Sequence, residues 1–199
     1  MEIKLSQFPR NACLLKTGGG RVKKKKWWLI SLLIVLITIL GIGGKRDMDK
    51  RATEKEYQQG IELIQSYVSD YLMKNYEGIE KIEWQGVGVE WRNSPIYGPS
   101  LLGNYVDSDV KIFVSEDNYF TMTFRLNGET EYNSSLKKYV KLDSLNAENT
   151  DSFIKMEIEN STRKLEKKDK IPFEKVKKNT VGSPNAKIIY NLVIYELKY

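Results

Sequence analysis

From Trp27 to Gly44 the chain carries no charge, and thirteen of those eighteen positions are Trp, Leu, Ile or Val, the rest being Ser31, Thr38, Gly41, Gly43 and Gly44. At about 1.5 Å of rise per residue the run makes a helix roughly 27 Å long, close to the hydrocarbon thickness of a bilayer. Inside lipid, a single segment satisfies its own backbone only as a helix. The run therefore predicts an N-terminal transmembrane helix at 27–44. A core helix of a globular domain does not fit, because such a helix normally keeps some polar face over this length.

The flanks set the direction. Arg10, Lys16, Arg21 and Lys23 to Lys26 precede the run, and Lys45, Arg46, Lys50 and Arg51 follow it. The bias toward the leading side predicts a single-pass protein of the cell membrane, with its N-terminus in the cytoplasm and its C-terminal domain outside. A basic start, an apolar run and the small residues Gly41 and Gly43 also match a cleaved secretory signal. The run exceeds the usual signal length, so an uncleaved anchor is the first reading and cleavage the second. No Cys follows the run, which excludes lipoprotein processing.

Residues 1–26 read as a cytoplasmic tail, with a second reading for residues 1–21. Gly18-Gly19-Gly20-Arg21 can be encoded by a purine-rich tract like a bacterial ribosome-binding site, and Val22 by a GTG start codon. In that reading residues 1–21 are translated leader. It also removes Cys13, the one cysteine of the chain.

Composition excludes several functions. The sequence pI is near 9.1, but residues 1–44 hold eight Lys or Arg against Glu2, a net of +7, while the whole chain is +6. Residues 45–199 are thus about neutral, at −1 by difference. A nucleic-acid binder carries its basic excess on the folded part, so no nucleic-acid partner is expected. There is no histidine, which removes histidine bases, the His-containing triads and His-ligated metals. No enzyme activity and no cofactor are expected.

Beyond a charged linker at 45–52, residues 53–199 are enough chain for one extracytoplasmic domain with its own core. Thr53 and Glu56 have capping-box spacing. Tyr57, Ile61, Ile64, Val68, Tyr71 and Leu72 then recur at three- and four-residue intervals, predicting an amphipathic helix over 53–75. Ile79 to Trp91 reads as strand, with a change of phase at Gly86 that signals a bulge or break. Residues 92–103 read as loop and 110–114 as strand. Tyr119 to Leu126 alternates, with Phe120, Met122, Phe124 and Leu126 inward. Asn127-Gly128 signals a hairpin returning over 129–132. Asp151 is placed to cap a helix carrying Phe153, Ile154, Ile158 and Leu165. Residues 188–197 are apolar on both faces, which predicts a central strand. The order predicts an α+β fold: the amphipathic helix packed on an antiparallel sheet, in a cystatin-like layout.

Most candidate sites have a plainer role. Asp107, Asp109, Glu116 and Asp117 lack the calcium-loop pattern and read as solvated turn acids. Glu83 and Glu90 have no spacing that selects them as a catalytic pair. Gly86-x-Gly88 lacks the rest of a nucleotide fingerprint. The basic stretch 163–178 offers contacts to anionic headgroups, but its interspersed acids read as an ordinary solvated face. The aromatic segment 91–99 is the best interface candidate, since Trp, Tyr and Arg anchor interfaces and proline reduces ordering entropy. Trp91, Arg92, Tyr97 and Tyr105 are the expected partner-binding residues.

With Lys81-Ile82-Glu83-Trp84 as a Lys-x-Ile-x-aromatic strand and Asn93-Ser94-Pro95-Ile96-Tyr97-Gly98 in the place of an Asn-Pro-Met-Gly loop, residues 23–126 resemble small, uncharacterised membrane-anchored families of Firmicutes. The inserted Ser94 and the Ile-Tyr in place of Met depart from that loop. The overall plan is similar to anchored immunity proteins that guard streptococcal cells against secreted toxins acting on cell-wall precursors. That resemblance implies a protein partner held stoichiometrically. The other reading is an accessory component of an envelope secretion or conjugation assembly, docked through the helix 53–75.

Overall fold

The computed structural model describes residues 20–92 and 103–198, the side chains of 20–30 and 36–47 excepted. The chain divides into two units, Met1–Asp49 and Lys50–Tyr199. In the first, the described backbone is helical from Gly20 onward, as the beginning of α1 (Gly20–Asn75). The apolar run is therefore helical, as expected. Of its side chains only Ser31 to Val35 are described, and Leu32, Leu33, Ile34 and Val35 are exposed. Among the described residues no helix is long and apolar enough to cross a membrane. The charged linker expected at 45–52 is helical too.

In the second unit the expected stripe is the buried face of α1. Ile61, Ile64, Val68 and Leu72 are fully buried, with Tyr57 and Tyr71 packed at its margins. Burying each of those aliphatic side chains stabilises the fold by about 1.5–3 kcal/mol. Gln65 and Ser69 are buried on the same face and are satisfied by the sheet. The Trp84 indole N–H donates to Ser69 Oγ at 3.0 Å, and Gln65 Nε2 to Ser108 Oγ at 3.4 Å.

The main sheet begins with β2 (Lys81–Trp84) and β3 (Val87–Glu90), both antiparallel to the long strand β4 (Tyr105–Phe113). Trp84 pairs with Val110 and Gly88 with Asp107, so four steps along one side match three along the other. One extra residue is the definition of a β-bulge, and it reverses which side chains face the core. Ile82 and Trp84 point inward before it, Val87 and Val89 after it. Gly86 takes φ +107° at the bulge, where Ser108 Oγ donates to its carbonyl at 2.7 Å. The phase change in the sequence is this feature. β5 (Tyr119–Arg125) pairs with the far side of β4 across the turn at 115–118, and Phe120, Met122 and Phe124 face inward as expected, with Leu126 buried just beyond its end.

The C-terminal segment differs from expectation. It forms β9 (Lys187–Ile189) and β10 (Ile194–Glu196), which lie at the sheet edge and run parallel to β2 and β3. The sheet is consequently mixed, which departs from the antiparallel, cystatin-like layout. The strand looked central because its inner residues pack on the core while Leu197 covers the outer side at Gly88. Between β9 and β10 the chain leaves the ladder, and α1 compensates. Gln58 Nε2 donates to the Leu192 carbonyl at 2.7 Å, and Gln65 Nε2 to that of Asn191 at 2.8 Å.

The hairpin expected at Asn127-Gly128 is replaced by a single helical turn, α2 (Leu126–Glu129). β6 (Thr130–Asn133) then pairs with β7 (Lys138–Lys141) instead of returning along β5. Leu126 is fully buried, and the turn lets the chain leave the sheet to cover α1 at Gly60. α3 (Ala147–Thr162) follows and packs Phe153 edge-to-face on Phe124, ring centres 5.3 Å apart. Its cap is Asn146, whose side chain accepts from the Asn149 N–H at 2.9 Å, and not Asp151. Asp151 lies inside the helix. Both helices thus cover one face of the sheet, and among the described residues no helix covers the other.

Candidate functional site

Alternation puts Lys81 and Glu83 of β2, Tyr105, Asp107, Asp109, Lys111 and Phe113 of β4, and Tyr119, Thr121, Thr123 and Arg125 of β5 on the open face. Tyr105 lies at one end of it, where β4 begins. The Arg92 guanidinium carbon lies 5.5 Å from the Tyr105 ring centre and that of Arg125 5.3 Å from it. Arg125 Nε also donates to the Tyr105 hydroxyl at 3.1 Å. Two cations on one ring give a rigid, amphipathic knob. Arg92 is steadied by Glu90 Oε2 at 2.7 Å, and its backbone N–H donates to Asn104 Oδ1 at 3.0 Å.

Of the four expected contact residues, the structure unites Arg92 and Tyr105. Trp91 turns instead toward α1, 6.1 Å from the Tyr57 ring and beneath the Lys50 ammonium at 5.0 Å. It is half-buried and helps close the core end. Asn104 joins the two groups by donating to the Tyr57 hydroxyl oxygen at 2.9 Å. Tyr97 lies outside the described residues. Nothing local in the sequence marks Arg125 as a contact residue, because only the β4–β5 register brings it diagonally to Tyr105.

Of the four acids expected in solvated turns, Asp107 and Asp109 are instead in β4. Asp107 is buried, tucked against Gly88, where a Cβ would stand only 2.5 Å from its Oδ1. Burial pushes its carboxyl above the usual carboxylate range, Asp109 adds to that, and Tyr105 and Arg125 oppose it. Asp109 accepts from Thr123 Oγ1 at 2.6 Å. Glu116 and Asp117 are in the β4–β5 turn. Among the described residues no three acidic, Cys or His side chains gather to hold a metal. Glu83 and Glu90 are each paired with the cation two residues away on their own face, Lys81 and Arg92, which hold both carboxyls down.

A second polar cluster ties the helices together. Asp151 Oδ1 accepts from the Tyr71 hydroxyl at 2.6 Å and the Tyr76 hydroxyl at 2.7 Å, and Oδ2 from Lys178 Nζ at 2.5 Å. Burial pushes the Asp151 carboxyl up, but Lys178 and the two hydroxyls outweigh it and hold it below its ordinary value. Tyr76 belongs to β1 (Tyr76–Glu77) and Lys178 to β8 (Lys177–Lys178), which pair with each other. The basic stretch 163–178 therefore ends in a structural ion pair. Its middle, α4 (Lys167–Lys170), is mostly exposed, with Lys168 near Glu166 at 3.2 Å.

No protein-family model matches this chain, no curated protein matches it, and no solved structure matches its fold.

Proposed function

We propose that this is a single-pass membrane protein, anchored in lipid through 27–44, whose extracytoplasmic α+β domain binds a protein partner without chemistry of its own. The observation that carries the reading is the Arg92–Tyr105–Arg125 knob on the uncovered sheet face. Tyr and Arg dominate interface hot spots. Tyr105 and Arg125 stand on paired strands, and Arg92, just past β3, is held by Glu90 and Asn104, so little side-chain ordering is left to oppose binding. The uncharged run and its basic flank support the anchor, and tethering raises the domain's local concentration at the membrane face. The partner fitting that location is an envelope-directed toxin, and the role that of an immunity protein. Docking into an envelope assembly through 53–75 has less support, because Ile61, Ile64, Val68 and Leu72 are already buried against the sheet.

Protease added to intact cells tests the topology: the domain should be digested while a cytosolic marker survives, and a spared domain overturns the anchor reading. A photo-crosslinking residue at Thr123, which is exposed beside the knob, tests the face. It should capture one protein, and Arg92→Ala with Arg125→Ala should abolish that capture. Deleting the gene should sensitise cells to toxin-secreting neighbours; unchanged survival removes the immunity role.

A further inference from the structure

A cleft of 370 Å³ opens between α2, the segment before α3, and α3 itself, away from the knob. Phe124, Leu145 and Phe153 form its apolar floor, and Met156 stands exposed at the mouth. Glu129 is the one charged side chain lining it. Its carboxyl is half-buried, and no described cation is paired with it. Ser144, Asn149, Thr150 and Ser152 are the other polar residues of the lining, and the Ser144 hydroxyl lies 2.6 Å from the Gly128 carbonyl. Burial accordingly pushes the Glu129 carboxyl up, with Ser144 only partly opposing it.

We infer that this cleft receives one long basic side chain, a lysine or arginine of the protein partner, with its stem on Phe153 and Met156 and its cationic head on Glu129. The volume is at the small end of ligand pockets and ample for one inserted side chain. A lysine or arginine is the side chain that combines an apolar stem with a charged tip. A carboxylate in apolar surroundings without a counter-charge is costly, and a cation brought in relieves that cost. The two phenyl rings of the floor, edge-to-face at 5.3 Å, add an attraction for the same charge. The identity of the guest as a partner's side chain rests on the protein-binding reading; the chemistry of the cleft does not.

The test uses the full chain in neutral-detergent micelles with ¹³C-methyl methionine, without any partner. N-acetyl-lysine methylamide should shift the Met156 methyl signal saturably and leave buried Met122 unmoved. N-acetyl-norleucine methylamide, the same stem without the ammonium, should bind at least tenfold more weakly. Glu129→Gln should abolish the difference between the two, with an unchanged Met122 signal reporting a folded core. Equal binding of both probes, or no shift with either, overturns the cleft. Binding of n-butylammonium with no response to the acetyl-lysine probe overturns the partner side chain in favour of a small free amine. None of these outcomes depends on topology or on toxin challenge, so failure here is separable from failure of the protein-binding reading.

Discussion

The Tyr76 hydroxyl donates to Asp151 Oδ1 across 2.7 Å, joining the residue that follows the long helix to the interior of α3. Lys178 meets the other carboxylate oxygen. A single carboxylate thus fastens three segments that are distant in sequence.

Asp151→Asn keeps the shape and removes the charge. It should cost about 1.5 kcal/mol at neutral pH, the low end for hydrogen bonds to a charged group because Lys178 is exposed. Because the folded-state carboxyl is held below its ordinary value, its stabilisation is complete above the unfolded value and fades as pH falls through the folded one. Urea melts of both proteins should therefore converge as the pH falls below about 4, the ordinary aspartate value. A gap that stays constant over that window means the ionised carboxylate is not the stabilising species.

Gly60 shows two effects of opposite sign. Alanine raises helix propensity by about 1 kcal/mol. Yet a Cβ there would collide with the Leu126 side chain and stand 2.8 Å from Tyr139 Cγ. Overpacking costs about 1–3 kcal/mol, and a ring packed on the helix gives way less readily than a Leu tip. Gly60→Ala should lower the denaturation midpoint; a rise would mean that α2 and β7 do not press on the helix.

Ser69→Ala leaves the buried Trp84 N–H without its acceptor at 3.0 Å. The expected loss is about 1–3 kcal/mol. Trp84→Phe together with Ser69→Ala removes both polar groups, so the double variant should be less destabilised than the sum of the two single changes. Strict additivity in a thermal-melt cycle would rule out the coupling.

Arg92→Ala with Arg125→Ala separates binding from folding. Arg125 is exposed and Arg92 half-buried, so stability should change by only about 0.5 kcal/mol per site. Capture of the partner should fall by tenfold or more in a pull-down from surface extracts. A folded double variant with undiminished capture would place the interface elsewhere.

Periodicity made the helix and the inner strands legible. The stripe from Ile61 to Leu72 and the alternation from Phe120 to Leu126 record local geometry, which a single segment carries in full. Even the bulge was visible, since an extra residue changes the phase of the apolar pattern at Gly86. Contacts set by register were not visible. Arg125 meets Tyr105 only because β5 pairs with β4 as it does. Asp151 looked like a cap because it precedes an apolar run, but Asn146 begins the helix earlier and turns Asp151 inward to the tyrosines. Residues 188–197 misled because apolar residues on both faces also suit an edge strand whose outer side another segment covers. Of the candidate site, Arg92 and Tyr105 were recognisable by residue type, while Trp91 serves the core.

The parallel pairing of Ile194 with Val87 and of Ile188 with Ile82 joins the far end of the sequence to the first strands of the domain. Such remote contacts form late, since much of the chain's conformational freedom is lost before they repay it. Until they form, β2 and β3 present a naked edge. A nascent or threading chain therefore stays sticky until its closing stretch has cleared the exit, and truncation after β8 should send it to quality-control proteases rather than yield a smaller working domain.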